Sequence, residues 1–176
     1  MLQTERMVYI SMLVSLSIVL HTVEAMIPLP SPWIKLGLAN SISLIAIVLL
    51  GIKEALIVTL LRVIVGSLIF GTLLSPAFLL GLSGGIISTL IMGASYKGLC
   101  RYFSLIGISI IGSYTHTITV MVVVYLLFIK HIGLFSLLPV FLFFALITGT
   151  LNGIVANLLN DRLKREGITT QFHHSN

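Results

Sequence analysis

Apolar runs of about 20 residues, the length that crosses about 30 Å of hydrocarbon as an α-helix, recur along this chain from Met7 to Leu159. Charged residues make up 9% of its 176 residues, whereas a soluble domain carries about a quarter. The mean hydropathy is correspondingly high, at +1.15. The pattern indicates an integral membrane protein, and the even recurrence of the runs predicts one polytopic domain over residues 1–176.

Six of these runs predict an all-α fold, a bundle of six transmembrane helices. The predicted spans are 7–27, 36–50, 52–70, 77–96, 103–129 and 134–159. The second run is the shortest, and its length as a helix is only about 22 Å. We therefore expect this span to be tilted, half-sunk in the membrane or joined to the loop before it.

The placement of Lys and Arg predicts that both termini lie inside. With that orientation the outer side holds only Lys35 and Lys130. The inner side collects Arg6, Lys53, Lys97, Arg101, Arg162, Lys164 and Arg165. This bias accounts for the formal charge of +5 without a nucleic-acid partner, since the basic residues are scattered and form no stripe. We expect a multi-pass protein of the cell membrane.

The N-terminal segment has some features of a secretory signal peptide. Arg6 precedes an apolar run, and Val23-Glu24-Ala25 imitates a cleavage site with small residues. However, the run to Ile27 is long enough to span, so we expect the segment to be retained as the first span.

Arg62 lies near the middle of the third span, where a charged side chain costs at least a few kcal/mol. Its guanidinium is charged at every relevant pH and has donors suited to carboxylate or phosphate. Either an internal acid or an anionic ligand can balance it. Glu24 is a better candidate partner than Glu54, which lies about 12 Å back along the same helix. The structural and the ligand-binding interpretations both stay open.

Other polar residues lie at a similar depth in different spans, in the outer half of the membrane. They are His21 and Glu24 in the first span, Lys35 and Asn40 at the start of the second, His116 in the fifth and Asn152 in the sixth. If they face one another, they form an outward-facing pocket floored by Arg62. Each residue taken alone is more often a packing residue, so the hypothesis depends on their shared depth. His21, Glu24 and His116 have no diagnostic metal-ligand spacing, so no metal site is expected.

Several catalytic patterns are missing from the sequence. There is no GxxxxGK[ST] phosphate loop and no GxSxG nucleophile elbow. Asp161 is the single aspartate, which excludes magnesium binding by paired aspartates. We therefore predict a non-catalytic binding subunit with no cofactor of its own. A membrane scaffold without a ligand is an alternative, which would need only small residues at helix-packing spacing, such as Gly81 and Gly85 or Gly149 and Gly153.

The sequence resembles the Gx transporter family, also labelled heptaprenyl diphosphate synthase component I, over nearly the whole chain. The resemblance is carried by KLGLAN at 35–40, LRV around Arg62, FGTLLSPAF at 70–78 and SGG at 83–85. That family is similar to the substrate-binding S components of energy-coupling factor (ECF) vitamin transporters. These have six helices with both termini inside and capture a micronutrient from outside.

The resemblance implies roles for further residues. The stretch from Pro28 to Trp33 would correspond to the loop that covers the ligand, with Trp33 as a stacking surface. Ser11 and Ser15 would correspond to the small-xxx-small motif that docks the coupling transmembrane protein, although S components more usually have alanines there. Two cytoplasmic ATPases would supply the energy by using ATP. Many S components have an acidic residue where this chain has Arg62, which implies an anionic ligand.

The resemblance does not name that ligand, and flavin-like, isoprenoid-diphosphate and other micronutrient ligands all suit Arg62 and Lys35. The synthase label suggests another alternative, a membrane accessory component of heptaprenyl diphosphate synthase. Prenyl diphosphate synthases bind magnesium through aspartate-rich motifs, which this sequence lacks. On that alternative the chain would assist a soluble catalyst.

Overall fold

The computed structural model describes residues 3–26, 38–99 and 103–165, with side chains described over 6–23, 40–98 and 103–162. The described residues form six α-helices and one short 3₁₀-helix, η1, and contain no strand. In chain order these are α1 Gln3–Met26, α2 Leu38–Leu49, α3 Ile52–Ile69, α4 Pro76–Leu99, α5 Leu105–Leu127, η1 Ile132–Leu137 and α6 Leu138–Arg165. The all-α prediction is confirmed. The first five predicted spans each correspond to one α-helix, and the sixth, 134–159, begins in η1 and continues in α6.

Local sequence explains where two of the helices begin. Pro76 is the first residue of α4, a position where its fixed φ suits the helix and its missing N–H costs nothing. The hydroxyl of Ser75 accepts a hydrogen bond of 3.3 Å from the backbone N–H of Phe78. Ser104 caps α5 in the same way, accepting a bond of 3.4 Å from the backbone N–H of Gly107. Such caps satisfy N–H groups that have no partner within the helix.

The short helix α2 lies at the centre of the bundle. It contacts each of the other five α-helices, and every residue from Ser41 to Ile47 is buried. Apolar residues on every side of a helix are typical of a position surrounded by other helices, and the polar residues of α2, Asn40, Ser41 and Ser43, bond to neighbouring helices. Its 12 residues therefore need not cross the bilayer in contact with lipid.

Among the described residues, four helical segments are long and apolar enough to cross a membrane. These segments are Arg6–Val23, Pro76–Gly98, Leu105–Leu127 and Ile132–Arg162. By contrast, α3 carries Lys53, Glu54 and Arg62 within its 18 residues, and α2 is short. A membrane protein fits these helices. Six spans, and both termini inside, stay predictions.

Gly149, Gly153 and Gly85 lie at close helix contacts, whereas a Cβ built on Gly81 would have its nearest neighbour 4.0 Å away. A Cβ built on Gly149 would lie 2.9 Å from Cα of Ile110, and one on Gly153 would lie 2.5 Å from Cα of Ile106. Close approach of two helix backbones therefore requires glycine at both positions of α6. Gly85 faces α3, with Thr59 as the nearest neighbour of its built Cβ.

Candidate functional site

Arg62 is buried within the bundle, with 5% of its surface exposed. Its Nη2 donates a hydrogen bond of 3.3 Å to Oδ1 of Asn40, in the first turn of α2. The same nitrogen lies 3.6 Å from a Cβ built on Gly85 of α4. Three helices thus meet around one guanidinium, which stays charged at any relevant pH.

One of the two acids considered as a partner for Arg62 is engaged elsewhere. The carboxylate of Glu54 forms a salt bridge with Arg6, at the start of α1. The exposed fraction of the side chain is 10% for Glu54 and 51% for Arg6. Glu54 therefore links α3 to α1. The side chain of Glu24, the other candidate acid, lies outside the described part of the chain.

Buried hydroxyl and amide groups extend from Arg62 across the bundle. The hydroxyl of Ser41 donates a hydrogen bond of 2.9 Å to Oδ1 of Asn152 in α6. Of two successive residues of α2, Asn40 therefore contacts Arg62 and Ser41 contacts α6. The hydroxyl of Thr59 in α3 lies 2.9 Å from that of Ser43 in α2 and 3.0 Å from that of Thr89 in α4. We call these residues together the polar layer: Asn40, Ser41, Ser43, Thr59, Arg62, Thr89 and Asn152. Its members come from α2, α3, α4 and α6.

The histidines flank the polar layer. A Cβ built on Gly84 would lie 2.8 Å from Nε2 of His116, so this imidazole lies against Gly84 of α4. The next residue of α4, Gly85, is the one that lies against Arg62. His21 lies against Gly66, one turn along α3 from Arg62, at 3.1 Å from a built Cβ. His21 is also edge-on to Phe70, with ring centroids 6.3 Å apart. Both imidazoles lie beside glycines because only glycine leaves room for a ring there.

A cavity of about 50 Å³ lies between α5, η1 and α6. A single water requires about 10–15 Å³, so the space exceeds that of one water. The lining residues are His116, Thr117, Val120, Met121, Val124, Leu134, Phe141, Phe144, Ala145 and Thr148. We call this space the α5–α6 cavity. Its polar groups belong to His116, Thr117 and Thr148, and the rest of the lining is apolar.

The structure brings together five of the residues predicted to contact the ligand. His21, Asn40, Arg62, His116 and Asn152 all lie in or beside the polar layer. The side chain of Glu24, and all of Trp33, Lys35 and the predicted covering loop 28–33, lie outside the described residues. Ser11 and Ser15 are exposed on α1, and their hydroxyls donate to carbonyls of their own helix. The described part of the chain contains no group of three metal-ligating side chains.

Sequence reasoning missed two components of this region. The sequence does not mark the hydroxyls of Ser41, Ser43, Thr59 and Thr89, because Ser and Thr in a span often bond to their own helix. The available signal is three polar residues within four positions, Asn40, Ser41 and Ser43, in the otherwise apolar second span. The α5–α6 cavity left no signal, since its lining consists of residues common to any span.

The family model described as heptaprenyl diphosphate synthase component I matches residues 13–159 of the chain. This range contains every member of the polar layer and the whole α5–α6 cavity. Comparisons with curated proteins and with solved structures gave no match.

Proposed function

The chain belongs to the heptaprenyl diphosphate synthase component I family, and we propose that it is a membrane-embedded substrate-binding subunit that takes a small anionic ligand from the outer face. In this role it resembles the S components of ECF transporters. It performs no catalysis itself, and Arg62 is the group that attracts the ligand.

One observation carries the proposal, the burial of Arg62 beside an amide. Burying a guanidinium is costly, and the cost is offset when charged or polar groups surround it. The Asn40 oxygen accepts a hydrogen bond from Nη2 and helps to hold the guanidinium in position. A guanidinium has five N–H donors in a planar fork, which suits it to bind a carboxylate or phosphate group of a ligand with two parallel bonds.

Transport on this proposal depends on partners. A coupling transmembrane protein would dock on α1 at Ser11 and Ser15, and two cytoplasmic ATPases would use ATP. The exposed face of α1 supports this role, because Met7 and Met12 lie on it beside Ser11, with 66% and 63% of their surfaces exposed. Small and flexible apolar side chains allow close packing of a second helix.

The family description favours a second candidate function, an accessory component of heptaprenyl diphosphate synthase. The chain would then hold a diphosphate group at Arg62 for a soluble catalyst. Both candidates require the same buried cation and differ in the partner. A ligand-free scaffold, the third possibility, would need neither the cation nor a ligand.

Native mass spectrometry of the purified full chain tests the proposal. We expect the wild type to retain an anionic small molecule, Arg62→Ala to lose it and Arg62→Lys to retain part of it. Arg162→Ala, which removes an exposed arginine at the end of α6, is the matched control. Equal retention by wild type and Arg62→Ala, with both folded, would exclude Arg62 as the anchor.

Co-purification separates the two candidate functions. The transporter proposal predicts a complex with a coupling protein and two ATPases, and replacement of Ser11 and Ser15 by Trp should disrupt it. A stable complex with a soluble prenyl diphosphate synthase, whose activity rises when the chain is added, would instead favour the accessory component.

A further inference from the structure

We propose that the ligand is a single-chain amphiphile, with its anionic head at Arg62 and His116 and the first part of its hydrocarbon tail in the α5–α6 cavity. This inference rests on the proposed function, since the head occupies the same site. It adds the chemical class of the substrate and the path of its apolar part.

The contacts between α5 and α6 differ along their length. At one end Gly149 and Gly153 let the backbones touch at Ile110 and Ile106. Past Thr148 the facing residues are bulky, and the cavity lies between the two helices. Leu134 of η1, with 8% of its surface exposed, closes the far side. The space is thus built by a change from glycine to large side chains along α6.

The polarity of the lining is graded. His116 and Thr148 lie on the two helix walls at the same end of the cavity. Thr148 is one helical turn from Asn152, a member of the polar layer. His116 rests on Gly84, whose neighbour Gly85 lies against Arg62. The polar end of the cavity therefore adjoins the polar layer.

The other end is lined by hydrocarbon. Its walls are Met121, Val124, Leu134 and Phe141, which offer no charged group and suit an alkyl or branched apolar chain. A wholly polar anion would occupy the polar layer and leave these walls without contact. An amphiphile matches both the polar end and the apolar end. This complementarity of charge and polarity is the reason for choosing it as the occupant.

The size of the cavity limits how much of the tail it encloses. About 50 Å³ admits a short segment and not a long chain. Phe144, which lines the cavity, is also 37% exposed on the outside of the bundle. A longer tail can leave past Phe144 into the surrounding lipid. The room between the helices suits one tail, so a two-tailed phospholipid is not the expected occupant.

Photo-crosslinking in phosphatidylcholine nanodiscs tests the inference with a defined probe, decyl phosphate carrying a diazirine near the middle of its tail. The readout is the position of the crosslinks and not an affinity, because the lipid of the nanodisc also dissolves the tail of the probe and would obscure its affinity for the protein. We expect crosslinks in the peptides that carry Met121, Val124 and Phe141. Excess decyl phosphate should suppress them at least fivefold, whereas decanol, which has the same tail and no charge, should not.

Variants of adjacent residues provide the matched comparison. Ala145 lines the cavity with 5% of its surface exposed, whereas Leu146 is 39% exposed on the outer face. Ala145→Phe should reduce these crosslinks at least fivefold, and Leu146→Phe should leave them unchanged. If Ala145→Phe fails to fold, Val124→Phe fills the same space from α5.

The outcomes separate this inference from the proposed function. If Arg62→Ala loses the natively retained anion but the probe does not crosslink at the cavity, the ligand is a plain anion and the amphiphile is excluded. If Arg62→Ala alters neither retention nor crosslinking, both proposals fail. Phosphatidic acid that competes as well as decyl phosphate would overturn the single-chain ligand in favour of a membrane phospholipid.

Discussion

The guanidinium of Arg62 donates a hydrogen bond of 3.3 Å to the side-chain oxygen of Asn40, which joins the middle of α3 to the first turn of α2. The next residue of α2, Ser41, bonds to Asn152 of α6. The central helix therefore orients the buried cation and ties it to the opposite side of the bundle. The amide of Asn40 thus helps to fix the direction of the guanidinium within the bundle.

Asn40→Asp should convert this orienting bond into an ion pair. The new carboxylate would compete with an anionic ligand for Arg62, so we expect affinity for decyl phosphate to fall at least tenfold. Asn40→Ala removes the orienting bond without adding a charge and should have a smaller effect. Equilibrium dialysis of both variants against the wild type measures the difference. If Asn40→Asp binds as tightly as the wild type, Arg62 does not hold the phosphate.

Glycines on one face of α4 provide a graded test of the site. Gly84→Ala would place a methyl group 2.8 Å from His116, and Gly85→Ala would place one 3.0 Å from Thr59 and 3.6 Å from Arg62. Gly84→Ala should weaken decyl phosphate binding, because it displaces His116 of the proposed head site. Gly85→Ala should weaken it less, because it displaces Thr59 and leaves Arg62 in ordinary contact. At Gly81 the nearest atom to a built Cβ is 4.0 Å away.

Gly81→Ala is the control for these two variants. It should leave binding unchanged and raise the free energy of unfolding by up to about 1 kcal/mol, since alanine favours a helix more than glycine does. Equal losses of binding in all three variants would indicate a general response of α4 and not a site.

The sequence predicts most of this fold because apolar runs and breakers report directly on helix length. The end of α1 at Met26, the start of α3 at Ile52 and that of α4 at Pro76 agree with the predicted spans to within a residue. What the sequence did not predict is the burial of α2 among five helices. Apart from Asn40, Ser41 and Ser43 this stretch is apolar. An apolar stretch is equally compatible with a core and with lipid, so periodicity cannot distinguish the two.

Depth along the spans brought His116, Arg62 and Asn152 to one level, since each residue of a helix rises by a fixed amount. Depth does not fix which way a side chain faces. Depth alone therefore leaves Glu54 a candidate partner of Arg62, whereas in the structure its carboxylate contacts Arg6. Side-chain pairs between helices depend on rotation about each helix axis, which one sequence does not specify.

The contact between Arg6 and Glu54 should stabilise the attachment of α1 to α3. Arg6→Ala leaves a carboxylate that is 10% exposed without its cation, and we expect a loss of about 1–3 kcal/mol because Arg6 itself is half exposed. Adding Glu54→Gln removes the stranded charge and should recover at least half of that loss. A double-mutant cycle by thermal unfolding measures the coupling. Additive single effects would show that the pair contributes nothing.

The hydroxyl of Thr59 connects Ser43 and Thr89 at 2.9 and 3.0 Å. Thr59→Val keeps the shape but leaves two buried hydroxyls without this bond, so the free energy of unfolding should fall by about 1–3 kcal/mol. Thr115→Val is the control, because the hydroxyl of Thr115 donates to the carbonyl of Ile111 in its own helix. Thermal unfolding of both variants should show a clearly larger effect at Thr59, and equal effects would contradict the role of the polar layer in stability.

Close packing of α5 and α6 at their glycine end should be sensitive to one methyl group. Gly153→Ala places Cβ 2.5 Å from the backbone of Ile106, where the neighbouring atom cannot rotate away. We expect the helices to separate at a cost of about 1–3 kcal/mol, measured by thermal unfolding against Gly81→Ala. Separation here would also change the α5–α6 cavity, so the pattern of diazirine crosslinks should spread beyond the peptides with Met121 and Val124. If stability and crosslinks both match those of Gly81→Ala, this glycine contact does not set the spacing of the two helices.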